Sequence, residues 1–197
     1  MNSVEKKRLR DEKILLTLDK LQYASRSQIQ RIFSLGSDRN ACRIMNNLKE
    51  YVHSFRHYEN VFYLNKRGRE RIGSDKVLSK PSNVEHHLLR NEVYIIYGFP
   101  RIWKIENPIK VRGENFITPD ATFTQDDRSL YLVEVDRTQK MHKNIQKLRK
   151  YKEVKDLTPG KIFPHLIWIT KTPSRKDKLE GACKDLGLDA SVIVHSL

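Results

Sequence analysis

The chain has 197 residues, of which 38 are Lys or Arg and 24 Asp or Glu, for a formal charge of +14, with 38% apolar and 9% aromatic residues. That is enough for one large or two small domains at ~100–200 residues each, and it is too rich in apolar side chains for a disordered tail. A larger multidomain assembly is excluded, and the basic excess points to a polyanionic partner, nucleic acid ahead of an anionic membrane surface.

No stretch approaches the ~20 apolar residues of a spanning helix, and Met1 to Lys13 alternates charges of both signs without the apolar core of a signal peptide. A cytoplasmic protein without membrane contact is expected. Cys42 and Cys183 stand far apart, which offers neither a disulfide framework nor zinc-ligand spacing, so both are expected to be buried thiols. Up to Lys80 there are 18 basic and 9 acidic residues, net +9, and from Pro81 onward 20 and 15, net +5. The Gly, Ser and Pro of Gly73 to Ser82 interrupt any helical or strand period. Two modules follow, residues 1–75 and 82–197.

The first module opens with a helix of about 15 residues whose apolar face carries Leu9, Ile14, Leu15, Leu18 and Leu21. Ser25 or Ser27 caps a short second helix with Ile29, Ile32 and Phe33, and Ser37 or Asp38 caps a third from Arg39 to Tyr51. Helical periodicity turns Ala41, Ile44, Met45 and Leu48 inward and leaves Arg39, Asn40, Arg43, Asn46, Asn47 and Lys49 outward. Short strands at 52–55 and 61–64 and a helix start at Lys66 to Ile72 complete the order of a winged helix-turn-helix. In that arrangement Arg39, Asn40, Arg43 and Asn47 suit base edges of double-stranded DNA, while Lys66, Arg67 and Arg69 suit phosphates. The same faces also suit protein docking or plain solvation.

The second module begins with a helix over 83–97, whose adjacent His86 and His87 point about 100° apart and so do not favour chelation of one ion. Strands are expected at 101–106, 108–112, 115–123 and 129–136, the last two joined by a hairpin turn at Thr124 to Arg128. A basic helix over 140–153, an apolar strand 166–170, a helix 174–186 and a strand 190–195 follow. The sum is an α/β (α+β) sandwich with a mixed central sheet.

Two acidic segments interrupt strongly strand-forming sequence, Pro119-Asp120 and Glu134-Val-Asp136. Alternation puts Glu134 and Asp136 on one side of their strand, and a hairpin brings Asp120 near Glu134. Carboxylates inside a sheet need a cation: either a hard divalent metal, which binds one or two carboxylates and can activate water, or Lys143, Lys147 or Arg149 at an edge strand.

Pro119-Asp120, Glu134-Val-Asp136 and a following helix with Gln146, Lys147 and Tyr151 resemble the PD-(D/E)xK restriction-endonuclease-like core. Over nearly its whole length the chain is similar to the replication-relaxation family of bacterial plasmids, integrative elements and phages. The resemblance implies a DNA-binding protein of a mobile element acting in replication, transfer or their regulation, with replication or conjugative-transfer proteins as partners and a homodimer on paired half-sites as one arrangement. It also implies Mg²⁺ or Mn²⁺ at Asp120, Glu134 and Asp136, and a metal-dependent nickase as the alternative activity. One departure stands out: Asp136 occupies the place of the motif's lysine. Lys140, Lys143 or Lys147 of the following helix could supply the missing cation, with Glu92 as an additional carboxylate. Phosphate loops, nucleophile elbows and zinc-protease motifs are absent.

Overall fold

Asn2 starts the first helix of the computed structural model, which describes residues 2–125, 128–160 and 162–196. Among these residues the chain is mixed α/β, with seven helices and ten strands, and it divides into two compact units, Met1–Ile95 and Ile96–Leu197. No helix among them is long and apolar enough to cross a membrane.

In the first unit, Asn2 and Glu5 form a capping box that sets the start of α1 (Ser3–Leu21). Ile14, Leu15, Leu18 and Leu21 are buried, but Leu9 is exposed because only the C-terminal half of the helix is packed. Ser25, in the short β1 (Ala24–Ser25), caps α2 (Arg26–Ile32), and Ser37 caps α3 (Asp38–Asn47). The third helix ends four residues before the expected Tyr51, where the chain tightens into a turn closed by Tyr51 N–H donating to Leu48 O at 2.9 Å. As expected, Ala41, Ile44, Met45 and Leu48 face the core. Cys42 does not: one helical step from Ala41, it lies on the exposed side, and only Cys183 is buried.

The strands β2 (Val52–His57) and β3 (Glu59–Leu64) pair antiparallel and are longer than the sequence indicated, because Arg56, His57, Glu59 and Asn60 continue the ladder at its solvated end. Their turn is Tyr58 alone, at φ 53°. Strand β1 pairs with β3, and α4 (Lys66–Ile72) follows, stopped by Gly73 in the left-handed region.

The helix expected to open the second module, α5 (Val84–Ile96), instead packs on this first unit through its polar residues. Gln28 Nε2 donates to Leu88 O and to Glu92 Oε1, both at 2.8 Å, and Arg31 forks the Glu92 carboxylate at 2.5 and 2.8 Å. Arg90 donates to Leu21 O and Asn91 to Tyr23 O. Glu92 is 1% exposed and serves the first unit as a paired buried anion, in the unit other than that of Asp120 and Glu134.

The second unit is built on a five-stranded mixed sheet in the order β10 (Ala190–Val194), β9 (His165–Thr170), β8 (Leu130–Asp136), β7 (Ala121–Thr124), β4 (Ile102–Ile105). Strands β4, β7 and β8 run antiparallel, while β8, β9 and β10 run parallel. The strand expected over 115–123 is two strands in two sheets: β6 (Glu114–Ile117) pairs with β5 (Ile109–Val111), and β7 joins the main sheet. The break falls at Thr118-Pro119-Asp120, where Pro119 has no N–H to give a ladder. Asp126 and Asp127 of the expected hairpin turn lie outside the described residues. The helices α6 (Met141–Leu157) and α7 (Pro173–Asp185) share one core with Leu132, Leu166, Trp168 and Val192, so both cover the face toward which the even-numbered β8 residues point.

Gly68 is where the first unit tolerates no side chain, since an added Cβ would stand 2.1 Å from Tyr51 O. Gly68→Ala is expected to cost about 1–3 kcal/mol despite the better helix propensity of alanine. At Gly181 in α7 the added methyl meets nothing, so Gly181→Ala should instead gain up to about 1 kcal/mol. Urea unfolding midpoints check the pair, and equal shifts of the same sign would contradict the packing described.

Candidate functional site

The register of β7 on β8 pairs Ala121 with Val133, which sets Asp120 across from Glu134. Asp120 N–H donates to Val133 O at 3.0 Å, and Val135 N–H donates to Asp120 Oδ2 at 2.7 Å, so the aspartate is fixed by the backbone of β8. Glu134 lies in the middle strand of the sheet and is 1% exposed. Both of its oxygens are engaged from α6: Lys147 Nζ donates to Oε2 and the Tyr151 hydroxyl to Oε1. Lys147 and Tyr151 are four residues apart, hence on one face of that helix. Burial pushes the Glu134 carboxyl up to about 8, and the Asp120 charge adds to the rise, while Lys147 and Tyr151 oppose it. Burial and the same carboxylate hold the Tyr151 hydroxyl well above its ordinary range.

Of the lysines considered from sequence, Lys147 is the one that reaches Glu134. Lys143, Gln146, Lys147 and Lys150 line an open cleft of about 370 Å³ together with Phe116 and Thr118. Its lining is therefore cationic, and Lys147, one of the lining residues, is the one that bonds Glu134.

Asp136 differs from expectation. It points to the same face as Glu134 and is fully buried, but Arg175 from the first turn of α7 forks it at 2.6 Å on each oxygen, and Thr170 Oγ1 adds a bond at 3.2 Å. With both oxygens on a guanidinium, Asp136 is tied to α7, so a metal ion there would have to displace Arg175. Among the described residues no three His, Cys, Asp or Glu side chains gather to hold a metal ion. Asp120 and Glu134 remain the pair whose chemistry fits a hard divalent cation, since one or two carboxylates suffice for Mg²⁺.

In the first unit Arg39, Arg43 and Asn47 are exposed on α3. Asn40 is half-buried and staples the turn, donating to Leu35 O and accepting from Arg43 Nη2, each at 2.7 Å. Lys66 and Arg67 are exposed at the start of α4, in loose surface pairs with Glu70 and Glu50, while Arg69 is half-buried. The sequence resemblance places Tyr151 on the helix of the motif without a role of its own and does not reach Arg175. Tyr151 was signalled by its i, i+4 spacing from Lys147; Arg175 depends on the parallel register pairing Asp136 with Thr170, which carries no local signal.

Glu134 holds its proton more tightly when folded than at its ordinary value of 4.5, so the stability this adds is complete below about pH 4.5 and is lost as pH rises to about 8. The urea midpoint should therefore fall between about pH 5.5 and 8.5, and Glu134→Gln should flatten that fall. Parallel pH profiles for the two proteins would contradict the up-shift.

A family model described as replication-relaxation matches residues 15–164. The matched span runs from α1 to the residue before β9 and includes α3, Asp120, Glu134, Lys147 and Tyr151, but not Arg175. No curated protein matches the chain. With about three-quarters of its length matched, across both compact units, the chain belongs to the replication-relaxation family.

Proposed function

We propose that this is a cytosolic DNA-binding protein acting in replication or transfer of a plasmid or other mobile element, with its first unit working as a winged helix. The observation that carries this reading is α3, which buries Ala41, Ile44 and Met45 and turns Arg39, Arg43 and Asn47 to solvent. A helix of this kind fits the major groove, where Arg and Asn can bond base edges, while the β2–β3 hairpin with Arg56 and the start of α4 with Lys66 and Arg67 meet phosphates. The +9 charge of the first 80 residues supports the same face. Arg39→Ala with Arg43→Ala should weaken duplex binding at least tenfold and lower the slope of log affinity against log salt by about 0.9 for each phosphate the protein no longer neutralises. Unchanged affinity and slope would refute the groove assignment, and absence of any duplex binding by the wild type would favour a protein-docking adaptor.

A second reading, favoured by Lys147 at Glu134, is metal-dependent DNA nicking by the second unit. The strand order, the Asp120 and Glu134 pair and a lysine delivered from α6 support a restriction-endonuclease-like core whose lysine has moved from strand to helix. Asp120 and Glu134 would hold Mg²⁺ or Mn²⁺, which supplies a Lewis acid for attack of water on a phosphodiester. Lys147 would then orient the attacking water, and Lys143 and Lys150 would hold the strand. Supercoiled plasmid incubated with Mn²⁺, Mg²⁺ or EDTA should give metal-dependent nicked product that is lost in Glu134→Ala and in Lys147→Ala. Bound but uncut plasmid would leave a DNA-binding protein on a nuclease scaffold.

A further inference from the structure

The sheet of the second unit carries a row of rings at the end away from Glu134 and Asp136, where β8 begins. Trp103 on β4, Phe123 on β7, Tyr131 on β8 and His165 on β9 are neighbours across four adjacent strands. Their centroids are 5.7, 4.8 and 5.7 Å apart in sequence, and Phe123 and Tyr131 are nearly parallel at 5°. Tyr97 stands 5.1 Å from Phe123 and 5.8 Å from Tyr131. Phe123 and Trp103 are buried, whereas Tyr97, Tyr131 and Phe163 are only half-buried.

Two open clefts meet at Tyr97. One, about 590 Å³, is lined by Tyr97, Tyr131 and Phe163 with Arg128, His165 and Asp189. The other, about 850 Å³, runs on from Tyr97 past Phe99, Arg101 and Gln125. Arg101 and Arg128 are exposed, and Phe99 and Ile102 are 40% and 55% exposed. Asp189 is the only acidic residue lining either cleft among the described residues, and its carboxylate lies 2.7 Å from His165 Nδ1, whose Nε2 lies 2.8 Å from Ser191 Oγ. The result is a half-open ring pair, Tyr97 and Tyr131, with Phe163, itself packed on Tyr151, lining the same cleft and cationic side chains beside them.

A duplex keeps its bases stacked and cannot use such rings, whereas an unpaired strand offers both a π-face at every nucleotide and a phosphate between each pair. We propose that these joined clefts bind single-stranded nucleic acid, with bases stacking on Tyr97, Tyr131 and Phe163 and phosphates meeting Arg101 and Arg128. The site uses neither α3 nor the cleft at Lys147, so it stands apart from the duplex and nicking readings. It would let a protein held on duplex DNA also grip a strand opened beside its site.

The test is fluorescence anisotropy of a labelled oligothymidylate and its ribouridylate counterpart with the full chain, paired with crosslinking of a 5-iodouracil-substituted strand and mapping of the modified peptides. Wild type should bind with a salt-dependent affinity and crosslink at Tyr97, Tyr131 or Phe163. Tyr131→Ala should weaken binding about tenfold while Tyr131→Phe retains it, and Arg101→Ala with Arg128→Ala should weaken it and reduce the salt slope. Arg39→Ala with Arg43→Ala should weaken oligonucleotide binding less than the Arg101 and Arg128 double variant does and should leave the crosslinks at Tyr97, Tyr131 or Phe163 in place, which separates this site from the proposed duplex face. No binding, crosslinks confined to α3 or to the Lys143–Lys150 stretch, undiminished binding in the double Arg variant, or occupation of the clefts by a proline-rich peptide instead of the oligonucleotide would each overturn the proposal.

Discussion

A carboxylate in the middle strand of a sheet is the constraint around which the second unit is arranged. Glu134 is shut away from solvent, and a buried carboxyl left without partners costs several kcal/mol. Its two oxygens are met by Lys147 and Tyr151, one turn apart on α6, which fixes both the rotation of that helix and its height along β8. Once α6 is set, Leu148, Tyr151 and Val154 close over Leu132, Leu166 and Trp168, and the β5–β6 hairpin completes the same core through Val111 and Ile117. Asp136 applies the same rule two residues later, drawing the first turn of α7 onto the strand through Arg175. Two acidic positions on one strand thus orient two helices, and the cleft that opens beside Lys147 follows from that packing.

The first unit uses a related device at a different place. Glu92 and Arg31, with Gln28 between them, clamp α5 to α2, and Arg90 and Asn91 occupy the carbonyls of Leu21 and Tyr23 where α1 ends. The polar residues of α5 are therefore interior groups with partners, and the apolar count of that helix understates how much of it is buried. In the same unit, α3 keeps a simple division between an apolar inner face and an outer one that carries Arg39 and Arg43.

Most of the local structure was legible in the sequence. Helical spacing placed the inner face of α3 and, Leu9 apart, that of α1; each cap was narrowed to two candidates, of which Ser25 and Ser37 do the capping; and alternation placed Glu134 and Asp136 on one side of their strand. Proximity of Asp120 to Glu134 and the arrival of a lysine from the following helix were also readable, because a hairpin and a strand-helix unit are short-range. What escaped depends on pairings between distant segments. Nothing near Asp136 announces Arg175, nothing in α5 says which unit will bury Glu92, and the strand-forming strength of 115–123 conceals the break that Pro119 imposes. The ring row across β4, β7, β8 and β9 assembles residues from four strands, and its members look like ordinary core aromatics when met one at a time.

Lys147, arriving from α6 in place of a lysine on the strand itself, is the cation that holds Glu134, and the packing of the second unit turns on that pair. A double-mutant cycle on the unfolding free energy with Glu134→Gln, Lys147→Met and the double variant measures the coupling directly. An interaction energy of about 0.5–3 kcal/mol is expected for this buried pair, whereas additivity to within about 0.5 kcal/mol would contradict it.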